Sequence, residues 1–293
     1  MEVRPFLDAH RLCAVACLVF LSAGADAAKP PKPARPAALQ PAPRLPADTL
    51  DRLQSGDAAR IQSALDDVRV AGRAGAVAVP VIVSLLRQGM SLALTEAAIE
   101  TLGETESASA GEVLCWYSRH RELAVREAAV QALAHSVGPE TVRALRTALA
   151  DGEPAVRGLA ATALGTLKAR AAAPDLFIAL DHHVNEAAAS IGEICAPSEC
   201  ERLVDELGRM PFEVVTSGLE RMLLRPAAEV SDDVKVRVVS QICALGTAGA
   251  HGFLRGVQVR WPASGSPAVR QALDEAVRVT KGSPGRRTPG AVR

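Results

Sequence analysis

The chain has 293 residues, 48% of them apolar but only 3% aromatic, with 33 basic and 33 acidic side chains. That is apolar material enough for one large domain or two, and abundant alanine with few aromatics excludes a bulky sandwich or barrel core in favour of thin, closely packed helices. The zero formal charge hides an acidic body: without residues 1–27 and the eight bases of two acid-free terminal segments, 23 bases face 30 acids, net −7, which argues against a nucleic-acid partner.

Arg4 and Arg11 precede an uncharged run from Leu12 to Ala25, and Ala25-Asp26-Ala27 is a small-x-small cleavage pattern, so residues 1–27 read as a Sec signal peptide. The run of 14 residues is shorter than the roughly 20 that span a bilayer. A periplasmic or secreted bacterial protein with no integral membrane segment after cleavage is expected. Residues 28–47 are rich in Pro and Ala, carry Lys29, Lys32, Arg35 and Arg44, and hold no acid, which predicts an extended, polyproline-like linker over 28–48. The acid-free end, 281–293, with Lys281, Arg286, Arg287 and Arg293, is expected to be a disordered basic tail.

Between these ends, 49–280, the chain repeats itself. Leu102-Gly103, Leu133-Ala134 and Leu164-Gly165 recur at a spacing of 31, the length of two short helices and their turns. A first unit, Asp57 to Gln88, has helices over 59–71 and 77–88 and ends at Gly89. The second has a helix from Ser91 and another behind Ser109-x-x-Glu112, a capping-box spacing. In the third, the helix from Ala124 is followed by Gly138-Pro139 and a second helix. The fourth carries Val156 to Leu167 behind Asp151-Gly152-Glu153-Pro154, then a helix from Pro174. A fifth starts near Val184, turns at Ala196-Pro197 and has a second capping-box spacing, Ser198-x-x-Glu201. Its Ile191-Gly192 follows after only 27 residues, and Leu245-Gly246 after a further 54, which leaves room for one divergent unit between. Helices are predicted from Pro211, behind Ser231, from Thr247 and from Ser266.

The pattern Asp-x-x-x-x-Val-Arg-x-x-Ala-Ala-x-Ala-Leu-Gly-x-Leu is nearly complete from Asp151 and partial around Ala97, Val125, Val184 and Val236. It resembles HEAT repeats, most closely the phycobilisome-lyase HEAT-like subgroup, over roughly residues 57–280. The resemblance implies an all-α fold, an α/α superhelix of stacked hairpins. It implies no particular activity, because such repeats occur in lyases, hydroxylases and plain binding proteins.

In deoxyhypusine hydroxylase, another HEAT-like family, His-Glu pairs hold two irons. The matching positions here, Glu96-Ala97, Glu127-Ala128, Gly158-Leu159 and Asn185-Glu186, contain no His. Asp181, His182, His183 and Glu186 fall at a turn and read as solvated rather than as metal ligands. No phosphate loop, nucleophile elbow or Cys-x-x-Cys occurs, so no catalytic residue, metal or cofactor is expected. Cys195 ends one predicted helix and Cys200 begins the next; a local disulfide, buried reduced thiols and a redox-active thiol at Cys200 are all open readings.

Superposing the second helices on the 31-residue offset places Leu114, Leu145 and Leu176 on the core side and Trp116, Thr147 and Ile178 almost opposite. In HEAT-like stacks the second helices line the concave face, so this row is expected to look into a groove, flanked by Arg143, Arg146 and Phe177. Trp and Arg dominate interface energetics, and these six residues form the candidate surface for a protein or peptide partner. Trp116 folded against its neighbour to fill a gap is the competing reading. The expected function is an exported, monomeric scaffold without catalysis; an enzyme or enzyme-accessory module and a structural envelope component with basic tails are the alternatives.

Overall fold

The computed structural model describes residues 44–136 and 138–281. The expected signal peptide at 1–27, the expected linker as far as residue 43 and the expected tail beyond Lys281 lie outside the described residues. Among the described residues there are fifteen α-helices and no strand: α1 (Thr49–Leu53), α2 (Ala58–Ala71), α3 (Val79–Gln88), α4 (Leu92–Glu104), α5 (Gly111–Tyr117), α6 (Leu123–Leu133), α7 (Pro139–Ala148), α8 (Pro154–Thr166), α9 (Ala173–Asp181), α10 (Glu186–Ile194), α11 (Pro197–Asp205), α12 (Phe212–Leu224), α13 (Asp232–Ala244), α14 (Ala248–Arg260) and α15 (Pro267–Thr280).

The helices begin and end where local chemistry stops the chain. Pro139, Pro154, Pro197 and Pro267 each open a helix at a position whose N–H has no intrahelical partner. Asp57 accepts the Arg60 N–H at 2.8 Å and Thr247 the Ala250 N–H at 3.1 Å, each satisfying an orphan donor of the first turn. Gly89, at φ 88°, ends α3 in a conformation that side chains resist. The two expected capping boxes do not form. Ser109 lies inside a 3-10 turn, Ala108–Ala110, and its hydroxyl meets Ser107 instead. At α11 it is Glu199, not Glu201, that accepts the Ala196 N–H, at 2.7 Å, because the helix starts at Pro197 and puts Glu199 in its first turn. Glu201 pairs with Arg237.

The even-numbered helices α2 to α12 pack each on the next in one row, and the odd-numbered helices fold back as a second row, each lying against the even helix that follows it. Leu102, Leu133, Leu164 and Ile191 occupy the same core position of successive even helices and are fully buried. The accompanying glycines allow backbones to touch. A Cβ on Gly103 would lie 2.9 Å from Ala132 Cβ, one on Gly165 2.6 Å from Ser190 Oγ, and one on Gly192 2.0 Å from the Gly218 carbonyl oxygen. Residues 58–88 are the stretch, among the described residues, long and apolar enough to cross a bilayer by length and composition. Here they break into α2, a 3-10 segment and α3, and bury Ile61, Leu65, Val68, Ile82 and Leu86 in the shared core as the first hairpin of the stack.

The expected register fails after α10. Leu245 is not in the core position; it is 37% exposed at the end of α13, with Gly246 at φ 59° just beyond. The 54 residues from Ile191 cover three helix steps rather than four, so α13, whose sequence is that of a first helix, falls in the odd row. There it contacts α11 and packs broadly against α15, while α12 and α14 touch only lightly. Close packing thus passes from the even row to the odd row, and the divergent unit inferred from spacing is an odd number of helices. Arg225, 7% exposed, spans this junction: its guanidinium donates to the carbonyls of Cys195 (2.9 Å) and Gly192 (3.3 Å) at the end of α10 and to Glu229. Lys235 of α13 donates in turn to the Arg225 carbonyl.

Candidate binding surface on the odd helices

Trp116, Thr147 and Ile178 lie on α5, α7 and α9, and all three are exposed, Trp116 at 66% and Ile178 at 57%. Trp116 does not fold down to fill a gap. Its neighbour does: Tyr117 is buried, its ring stands edge-on to Trp116 with centroids 4.7 Å apart, and its hydroxyl donates to the Leu86 carbonyl at 2.9 Å, tying α5 to α3. Burial pushes the Tyr117 hydroxyl above its usual pKa, so it stays a donor. Between α3 and α5 this leaves a recess of about 420 Å³, lined by Leu86, Arg87, Glu112, Val113, Trp116 and Tyr117.

The flanking residues divide. Arg143 is exposed and pairs with Glu140 one turn earlier; Arg146 reaches the next odd helix and meets Asp175 at 2.7 Å; the Thr147 hydroxyl bonds back to the Arg143 carbonyl at 3.1 Å. Phe177 is not part of the surface. It is 2% exposed, with the Arg202 guanidinium of α11 stacked 4.1 Å above its ring centroid. One helix in isolation puts Phe177 at the margin of the exposed face, but the next odd helix covers that margin, and cation–π contact with a planar guanidinium closes it.

A second recess, about 370 Å³, opens where the chain leaves α5, bordered by Arg119, Arg121, Arg126, Thr147 and Asp151. Arg126 holds Asp151 with two hydrogen bonds, 3.1 and 3.3 Å, and caps the carbonyls of His120 and Arg121 at 2.9 and 3.0 Å. This explains the Asp and Arg of the repeat pattern: they join one unit's turn to the next. The spacing argument found neither Arg87 nor Arg119. Both lie in the last turn or just past the end of their helices, and the 31-residue offset pairs Arg87 with Ser118, a poor signal for charge.

Cys195 and Cys200 are joined as a disulfide, with Cα atoms 5.3 Å apart and both residues buried. Cys115 and Cys243 are free and half-buried; burial first, and Glu140 next, push the Cys115 thiol up against the opposing charges of Arg119 and Arg143, so it is a poor nucleophile. His182, His183 and Glu186 are all exposed around the α9–α10 turn, and among the described residues no group of three His, Cys, Asp or Glu is placed to hold a metal.

The family profile for HEAT repeats matches residues 79–154 and, in a second overlapping frame, 112–192. The chain carries HEAT repeats over this stretch. The HEAT repeats run from α3 through most of α10 and include α5, α7 and α9, which bear Trp116, Thr147 and Ile178. Solved structures similar to the chain include the complex of CpcE and CpcF of phycocyanin lyase from Nostoc sp. PCC7120, at 19% identity and a TM-score of 0.45, covering 84% of this chain and 98% of that one. Two engineered proteins align at 19% and 16% identity with TM-scores of 0.39 and 0.35, each covering 80% of this chain, and 96% and 68% of their own. No curated protein matches.

Proposed function

We propose that this HEAT-repeat solenoid is an exported scaffold that binds a protein or peptide through the surface of its odd helices, by recognition without chemistry. The observation that carries the reading is Trp116. One of two tryptophans in the chain, it stands 66% exposed beside an apolar recess, in a row with Thr147 and Ile178, on helices whose backbones are fixed by packing. Tryptophan is among the residues enriched at interface hot spots, and on a rigid element it contributes large contact area at little ordering cost. Export to the periplasm or the exterior rests on Arg4, Arg11, the apolar run to Ala25 and the Ala25-Asp26-Ala27 pattern, and the paired Cys195 and Cys200 suit an oxidising compartment.

The test is site-specific photo-crosslinking in cells. A photoreactive residue at Trp116 or Ile178 is expected to give a discrete adduct, and one at Val259, which is 79% exposed on α14, is not. Equal adducts from all three positions, or none from the first two, would count against the surface; adducts to cytosolic proteins alone would count against export.

A further inference from the structure

The chemistry around Trp116 restricts the kind of segment that fits this surface, given the binding role just proposed for it. Trp116 and Tyr117 line the apolar recess, and Arg119 and Arg121, the next residues but one and three, border the polar recess, so the end of α5 is a ridge between the two. A chain crossing the ridge would meet an apolar hollow on one side and guanidinium groups on the other.

The charges around the ridge are unequally committed. Arg126 is neutralised by Asp151, Arg143 by Glu140 and Arg146 by Asp175. Arg121 has only its neighbour Glu122, at 3.5 Å, and is 87% exposed. Arg87 and Arg119 make no ion pair among the described residues; Arg87 shares the apolar recess with Trp116 and one carboxylate, Glu112, and Arg119, three residues past Trp116, borders the polar recess. The ridge is therefore a cationic spot on a body whose net charge is −7. A basic segment would meet like charge at this ridge. An acidic segment would find uncommitted guanidinium groups here, on a body that is acidic on balance.

We propose that the Trp116 surface takes an acidic peptide segment with one bulky apolar side chain, the apolar group in the recess between α3 and α5 and the carboxylates on Arg87 and Arg119. The probe is a short fluorescein-labelled peptide of aspartates and glutamates around a central Leu-Phe pair, titrated by anisotropy against the full chain. A second peptide carries serines in place of the acids. The acidic peptide is expected to bind, to weaken as sodium chloride is raised, and to lose about tenfold or more in affinity with Trp116→Ala and with Arg119→Glu. Arg119 is exposed and without a side-chain bond among the described residues, so an unchanged unfolding midpoint separates lost binding from lost folding. If the serine peptide binds equally well and Arg119→Glu has no effect, the acidic assignment is overturned and the Trp116 surface stands. Binding of the acidic peptide that survives Trp116→Ala overturns the surface itself. No binding by either peptide overturns the acidic assignment and leaves the crosslinking result to judge the surface.

Discussion

A Cβ on Gly192 would sit 2.0 Å from the carbonyl oxygen of Gly218, and one on Gly218 2.2 Å from that of Ala188. Neither obstacle is a side chain that can turn away, so α10 and α12 would have to separate. Gly192→Ala is expected to cost about 2–3 kcal/mol of stability, the upper part of the range for overpacking a close-fitted core. Gly152→Ala, where nothing lies within 4 Å, is the control and is expected to change stability by less than about 0.5 kcal/mol. Urea unfolding midpoints measure both, and equal effects would show that the close approach is not what Gly192 secures. Exposure of Trp116 and Ile178 follows from the period of a single helix, whereas burial of Phe177 depends on Arg202, which is 25 positions later and reaches it only through stacking.

At the scale of the element, each helix of the first five units was legible from leucine and alanine periodicity, proline starts and glycine stops. Capping and row assignment were not: Ser109 falls inside a 3-10 turn, α11 starts at Pro197 ahead of Ser198, and α13 packs in the odd row although its sequence is that of a first helix. The α10–α11 turn shows how many such contacts can converge. The Cys195–Cys200 bond closes it, Arg225 caps the carbonyl ends of α10, and Glu229 holds Arg225 at 3.1 and 3.2 Å. Unfolding with the disulfide reduced is expected to show about 2 kcal/mol less stability, the chain-entropy value for so short a loop. Identical curves with and without reductant would mean that the helices alone fix the turn. Acid tests the ion pair independently. Hydrogen bonds from Arg225, then its charge and those of Lys168 and Arg170, hold Glu229 below the usual carboxyl value against the opposing effect of burial. A carboxylate whose folded pKa is lowered stabilises the fold fully above the unfolded value, about 4.3 for glutamate. That contribution fades as pH falls through the folded value. Glu229→Gln is therefore expected to flatten this part of the acid limb while lowering stability at neutral pH. A variant that tracks the parent at every pH would remove the pair from the account.

For the whole molecule, the consequence of stacking is that each hairpin is stabilised chiefly by its two neighbours, and stability need not be uniform along the chain. Three features mark the centre of highest stability. Helix α10 packs broadly on both sides, against α12 and against α8; the glycine approaches at Gly165, Gly192 and Gly218 lie within these contacts; and the disulfide and Arg225 close the adjoining turn. Beyond α12 the even row loosens, since α12 and α14 touch only lightly, and the odd pair α13 and α15 carries the packing instead. The junction therefore joins two differently packed blocks through α12, α13 and the Arg225–Lys235 bond. Native-state amide exchange is expected to be slowest in α8, α10 and α12, faster in α14 and α15, and fastest in α1, which is five residues long and, among the described residues, lies at the end of the stack against α2 and α3. If all helices exchange together through one global opening, the change of row carries no energetic boundary and the stack behaves as a single cooperative unit. If instead α13 to α15 open before α8 to α12, the Trp116 surface, which lies on the N-terminal side of that boundary, keeps its geometry while the C-terminal block fluctuates. A binding face of fixed helices then needs no ordering of the far end when a partner arrives.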